Sequence, residues 1–365
     1  MMISKKLSFL TFVVSIGLFT TIPVQAEHPD FPSTIQETTV YVDNKAVTTN
    51  YISHEGHMYV PALFFKHTGT YVDWLEHEQA VLFRAKEKAI TVPAGKPRSN
   101  IFDRALGFLR MTDHGKHALF FNEEIFVPLE EVARNLAMVV HYDSVKAKTF
   151  ITTNIPAPFH SIGKVNTEEK LVALTFDDGP DNIYTPQILD ILKEKKAVAT
   201  FFLVGKEIQT HQDMVRRIVQ EGHGLGNHTW QHPNLETLWT EKVREEIKET
   251  QLAMEAAVGR QPDLFRPPYG SITKADMALL HEIGLRNILW SVDTLDWSGL
   301  TADDILLIVH ENISKGGIIL QHSFGSKEHV LDGTIEALPK IIDELREEGY
   351  TFVTVQTLLE ADSLE

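Results

Sequence analysis

The chain has 365 residues, 34 basic and 50 acidic side chains, a formal net charge of −16 and no cysteine. Its 43% hydrophobic and 23% charged composition fits a folded soluble protein of roughly two domains, and the acidic balance disfavours nucleic acid, which is bound mainly through Lys and Arg. Without cysteine there is no disulfide framework, thiolate zinc site, iron–sulfur cluster, cysteine nucleophile or acylated lipoprotein anchor, so any metal must be held by His, Asp or Glu.

Residues 1–26 open on Lys5 and Lys6, run apolar from Leu7 to Ile22 and close on Val24-Gln25-Ala26. This is the layout of a secretory signal peptide cleaved after about Ala26. The run carries Ser8, Thr11, Ser15, Thr20 and Thr21 and falls short of the ~20 apolar residues of a membrane span. A secreted or wall-associated protein is therefore expected, with no stable membrane insertion after cleavage. Loss of Lys5 and Lys6 would take the net charge from −16 to −18.

From residue 36 to 154 short alternating strands and turns predict a small β-rich α+β domain. Thr39–Val42 and Ala46–Thr48, separated by Asp43-Asn44-Lys45, read as a hairpin. Two later stretches are near-repeats. Tyr59-Val60-Pro61, a helical segment, Tyr71–Trp74 and Ala80–Phe83 are matched by Phe126-Val127-Pro128, Leu129–Leu136, Val139–Asp143 and Ala147–Phe150. The pattern resembles the N-terminal domain of copper amine oxidases, which also occurs in secreted bacterial proteins and brings no oxidase chemistry; it implies a non-catalytic spacer or wall-docking role. His54, His57, His114 and His117 lack a carboxylate at ligand spacing and read as solvated. Residues 155–167, with Pro156 and Pro158, read as an extended linker.

Residues 168–360 alternate apolar strands with amphipathic helices. Strands are expected at Leu171–Phe176, Thr200–Val204, Gly224–Asn227, Leu264–Arg266, Asn287–Val292, Ile318–Gln321 and Thr351–Val355. Helices are expected at Thr185–Lys195, Asp213–Glu221, Glu241–Val258, Lys274–Ile283, Asp303–Ile313 and Ile335–Glu347. Such alternation implies parallel strands with crossover helices, an α/β fold closing into a distorted (β/α) barrel of about seven strands. Active groups on such a barrel sit at the C-terminal strand ends.

Five motifs stand there. Thr175-Phe176-Asp177-Asp178-Gly179-Pro180 takes two adjacent carboxylates out of a buried strand, which calls for a compensating cation. In His228-Thr229-Trp230-Gln231-His232-Pro233 two imidazoles at i and i+4 fall on one side of a helical turn. With an Asp from another strand end they form a two-His, one-carboxylate metal site. Arg266-Pro267-Pro268-Tyr269-Gly270, Asp293-Thr294-Leu295-Asp296-Trp297 and Leu320-Gln321-His322 complete the set.

In this order the five resemble the signature motifs of the polysaccharide deacetylases, carbohydrate esterase family 4. The resemblance implies one divalent metal ion, zinc before cobalt or nickel, on Asp178, His228 and His232. It implies Asp177 as general base held by Arg266, the Tyr269 backbone N–H as oxyanion donor, and His322 paired with Asp296 as general acid. Trp297, Leu320 and Pro268 would line the substrate groove, with Asp293 supporting the local structure. The expected reaction is removal of N-acetyl groups from an acetylated glycan, with peptidoglycan favoured by export and the wall-type module. An O-acetyl esterase, a chitin-oligosaccharide deacetylase and a non-catalytic glycan-binding protein are the alternatives.

Overall fold

The computed structural model describes residues 34–95, 98–103, 108–113, 117–156, 160–325 and 329–362. The expected signal segment, His114 and Pro158 lie outside them. Among the described residues no helix is long and apolar enough to cross a membrane.

Gln36–Val42 and Lys45–His54 form the first hairpin, with Val42 opposite Lys45. Its two turn residues, Asp43 and Asn44, have φ of 47° and 69°, the left-handed conformation that a two-residue hairpin needs and that Asp and Asn tolerate. The two near-repeats meet each other. Strands His57–Pro61 and Glu124–Pro128 pair antiparallel with Val60 opposite Val127, so the equivalent valines lie at the centre of the pairing. Each triplet runs into a short helical segment, Ala62–Thr68 and Leu129–Asn135, and then into a strand pair. The result is a seven-stranded sheet and a five-stranded antiparallel sheet. Between them Val60, Phe65, Phe83, Val127 and Val132 are fully buried.

In the second half, the seven strands in chain order are Leu171–Asp177, Ala199–Leu203, Gly224–Asn227, Leu264–Phe265, Arg286–Asn287, Val292–Asp293 and Gly317–His322. Along the sheet they run fifth, fourth, third, second, first, seventh, sixth, all parallel, with Thr351–Phe352 added beside the first. The ring is open between the fifth and sixth strands. The sequence predicts one strand over residues 287–292 there, and the structure divides it. Ile288 N still donates to Phe265 O on the fourth strand, whereas Ser291 N donates to Ile318 O on the seventh. A segment that changes hydrogen-bonding partner midway cannot remain one strand.

All six expected helices are present within a few residues of their predicted bounds. Asp332–Glu347 starts earlier than predicted and buries Leu338, Ile341, Ile342 and Leu345 along one face, while Ile335 is half-buried. Two six-residue helices, Gly205–Thr210 and Val355–Glu360, escape a periodicity reading because they span less than two turns. Of the segment read as a linker, Ile162 N donates to Asn287 O and Val165, almost fully buried, donates to Gly316 O, so this stretch packs on the barrel.

The two halves share buried polar contacts. Lys66 lies 2.9 Å from the Asp276 carboxylate and donates to the carbonyls of Leu235 at 2.6 Å and Leu238 at 2.9 Å. Asp73 accepts from the backbone N–H of Glu241 at 2.8 Å, in the first turn of helix Thr240–Val258, where an acceptor also suits the helix dipole.

Candidate active site

The C-terminal ends of the barrel strands bring the motif residues together. Asp177 closes the first strand and is buried, with its Oδ1 2.6 Å from Arg266 Nη1. Arg266 is itself fully buried. Its guanidinium also donates to Thr175 Oγ1 and to the carbonyls of Ile288 and Leu289, and lies 4.0 Å from the Phe202 ring centroid. Burial pushes the Arg266 guanidinium below its ordinary pKa, with the Asp177 charge working against that shift. The stack needs Gly226, since a Cβ there would lie 2.3 Å from the Phe202 ring.

Asp178, His228 and His232 offer ligand atoms all within 4.8 Å of one another, the one such group of three or more among the described residues. Asp178 Oδ1 lies 3.4 Å from His228 Nε2 and 3.2 Å from His232 Nε2, and it is buried without a hydrogen-bond partner. His228 Nδ1 is 2.7 Å from the Arg266 carbonyl, so it carries the proton and leaves the Nε2 lone pair directed at Asp178. Burial, followed by the neighbouring His228, lowers the His232 pKa to about 4, so His232 is a neutral imidazole near pH 7. Burial would raise the Asp178 pKa, but the neighbouring His228, with His322 and His232 beyond it, overcomes this and holds it well below the carboxylate range. Two imidazole nitrogens facing an ionised, otherwise unpartnered carboxylate oxygen suit a divalent cation.

The two histidines are not on the helical turn expected from their spacing. His228 follows strand Gly224–Asn227, and the chain then turns through left-handed residues, with Thr229 at φ 68° and His232 at φ 61°. For a β-branched residue such as Thr229 this conformation is strained. The turn is held from outside: Thr229 N donates to Asn227 Oδ1, His232 N to Thr229 Oγ1, and Trp230 N and Gln231 N both donate to Glu246 Oε2 at 2.8 Å. Neither Asn227 nor Glu246 stands out in the sequence as a support of this turn. Asp178, Tyr269 and Leu295 also have positive φ, so left-handed non-glycine residues occur at four of the five motifs.

On the far side, His322 ends the seventh strand with its Nδ1 2.7 Å from Asp296 Oδ1. Asp296 is buried, and its Oδ2 accepts from His322 N and from Thr334 Oγ1. Burial alone would depress the His322 pKa; the Asp296 carboxylate, with Asp178 and Asp177 beyond it, reverses this and raises it to about 9. Asp293 Oδ1 accepts from Leu295 N and shapes the turn that leads to Asp296.

A cavity of about 280 Å³ opens above these groups, lined by Asp178, His232, His322 and Trp297. Val204, Phe324 and Leu331 line it too, and no motif marks them. Leu320 and Pro268 are buried and lie outside this lining. Tyr269 is 69% exposed, its ring 4.8 Å from that of His232.

A buried carboxylate held by arginine, three groups able to hold a divalent ion and a histidine whose pKa is raised, gathered at the C-terminal strand ends, form a set able to hydrolyse an acyl bond. The comparisons agree with that chemistry. Residues 164–288 match the polysaccharide deacetylase family and residues 34–152 the copper amine oxidase N-terminal domain. A peptidoglycan-N-acetylglucosamine deacetylase of Bacillus cereus is 42% identical over 52% of this chain and 68% of its own. The peptidoglycan-N-acetylmuramic acid deacetylase PdaC of Bacillus subtilis is 37% identical over 54% of this chain and 40% of its own. The crystal structure of the Bc1960 peptidoglycan N-acetylglucosamine deacetylase superposes with a TM-score of 0.54 at 39% identity, covering 55% of this chain and 93% of that one.

Proposed function

The chain belongs to the polysaccharide deacetylase family, and from that premise we propose that it removes N-acetyl groups from the glucosamine or muramic acid residues of peptidoglycan, leaving a free amine and acetate. The observation that carries the reading is the unpartnered, buried Asp178 Oδ1 facing the Nε2 atoms of His228 and His232. Asp178, His228 and His232 would hold one divalent ion, zinc before cobalt or nickel. Bound there, it would polarise the acetyl carbonyl and lower the pKa of a water from ~15.7 toward ~7.

Asp177 is the general base that takes the proton of the attacking water. Arg266, anchored by Thr175 and two backbone carbonyls, fixes the carboxylate through its Oδ1. The Tyr269 N–H donates to the oxyanion as the carbonyl carbon becomes tetrahedral, a contribution of roughly 3 kcal/mol for a well-placed donor. His322, kept protonated by Asp296, gives its proton to the leaving nitrogen. That strong pairing favours an amide over an ester substrate, because an amide nitrogen cannot leave as an anion. Trp297 offers an exposed face to a sugar ring.

Export through residues 1–26, with cleavage after about Ala26, would bring the enzyme to its polymer. The deciding experiment measures acetate and free amine released from peptidoglycan and from N-acetylglucosamine oligomers, before and after chelation and with zinc or cobalt restored. Release only from O-acetylated glycans would establish the esterase reading instead.

A further inference from the structure

A cavity of about 960 Å³, more than three times the size of the one at the metal ligands, lies between the N-terminal sheets and the loop that follows His232. Trp74 and Phe120 stand on its N-terminal side, and Asn234, Glu236 and Trp239 on the other. Phe120 is 62% exposed, a cost in water that a stacked ligand would relieve. Rigid aromatic faces beside a few hydrogen-bonding groups suit sugar rings, whose faces are apolar and whose edges are polar.

The charge of the cleft selects among sugars. Its walls carry the carboxylates of Glu123, Glu124 and Glu236, and among its described residues there is no Lys or Arg. The other titratable wall residue, His67, has its pKa lowered by burial and supplies no cation near neutral pH. Burial also raises the pKa of Glu124, so its ionised form would gain from a cationic ligand. An ammonium over an indole is attracted as well.

We infer that this cleft binds the product of the reaction, a glycan strand whose deacetylated glucosamine units carry ammonium groups. The inference rests on the deacetylase reading, since deacetylation is what turns a neutral acetamido group into a cation. Asn234 lies two residues beyond His232 and lines the cleft, so one wall of it continues directly from the metal-ligand turn. A long strand can then be held by its processed part while an acetylated unit is presented to the catalytic groups. Such binding would also keep an acidic protein on an anionic wall.

The test is calorimetric titration of the full chain, metal removed by chelation so that nothing is turned over, with the β-1,4-linked glucosamine tetramer and its N-acetylated counterpart. The glucosamine tetramer should bind about tenfold tighter, a difference of about 1.4 kcal/mol. Glu124→Gln combined with Glu236→Gln should abolish that preference, and Phe120→Ala should weaken both ligands, while thermal melts show the variants folded. Equal affinity for the two tetramers in the unaltered protein would overturn the inference. So would trilysine binding as tightly as the glucosamine tetramer, which would make the cleft a mere anionic patch. Failure of the metal-loaded enzyme to release acetate would instead overturn the deacetylase reading and leave this comparison of affinities standing.

Discussion

The ammonium of Lys66 stands 2.9 Å from the carboxylate of Asp276, and neither side chain reaches solvent. One belongs to the N-terminal module and the other to the first turn of barrel helix Lys274–Glu282, so a buried ion pair spans the two halves. Lys66→Met leaves Asp276 charged and buried without its partner. Loss of stability by about 3–5 kcal/mol is expected, read from the denaturant midpoint. Asp276→Leu added to Lys66→Met should restore much of that loss, and strictly additive effects would argue against a direct pairing.

Removing residues 27–155 strips the same contact and also takes Asp73 from the start of helix Thr240–Val258. The truncated protein should melt well below the full chain. If it keeps the same melting temperature and the same turnover on short oligomers, the module is a detachable spacer.

Asp178→Ala should abolish binding of zinc or cobalt and activity together, because it removes the one carboxylate of the three proposed ligands. A metal-binding isotherm and acetate release, measured on the same sample, check this. Retained binding of the ion would place it elsewhere.

Asp177→Asn should separate the two properties. The proposed metal ligands remain while the proposed base is lost, and kcat should fall by about 10²–10⁴-fold. Near-normal kcat in a metal-loaded sample would remove Asp177 from the proton transfer.

His322 is expected to set the alkaline side of the pH dependence. Its folded pKa of about 9 lies above the value of about 6.5 expected unfolded, so its pairing with Asp296 stabilises the protein fully below pH 6.5 and is lost as pH rises through 9. The proton proposed to reach the leaving nitrogen is lost in the same direction. The alkaline limb of kcat/KM should move down by at least about one pH unit in Asp296→Asn, since the ring loses its nearest anion. An unmoved limb would assign the ionisation to another group.

What the sequence made legible follows from how local each signal is. Asp177, Asp178, His228, His232, Arg266, Asp296 and His322 stand in short motifs at strand ends, where barrel topology alone tells which way a side chain opens. The turn that presents His228 and His232 differs from the helix their spacing suggests, because its conformation is set by Asn227 and Glu246, the latter 14 residues beyond His232. Lys66 carries no such local signal, because a lysine is rarely buried and nothing beside Phe64 and Phe65 marks this one as an exception. Its partner, 210 residues away, could be named only once the two halves were seen together.

The antiparallel pairing of His57–Pro61 with Glu124–Pro128, centred on Val60 and Val127, joins the two repeats of the N-terminal module through equivalent strands of one chain. Each repeat is the other's missing edge strand. Because both strands belong to one chain, this pairing does not depend on protein concentration, as the same contact between two separate molecules would.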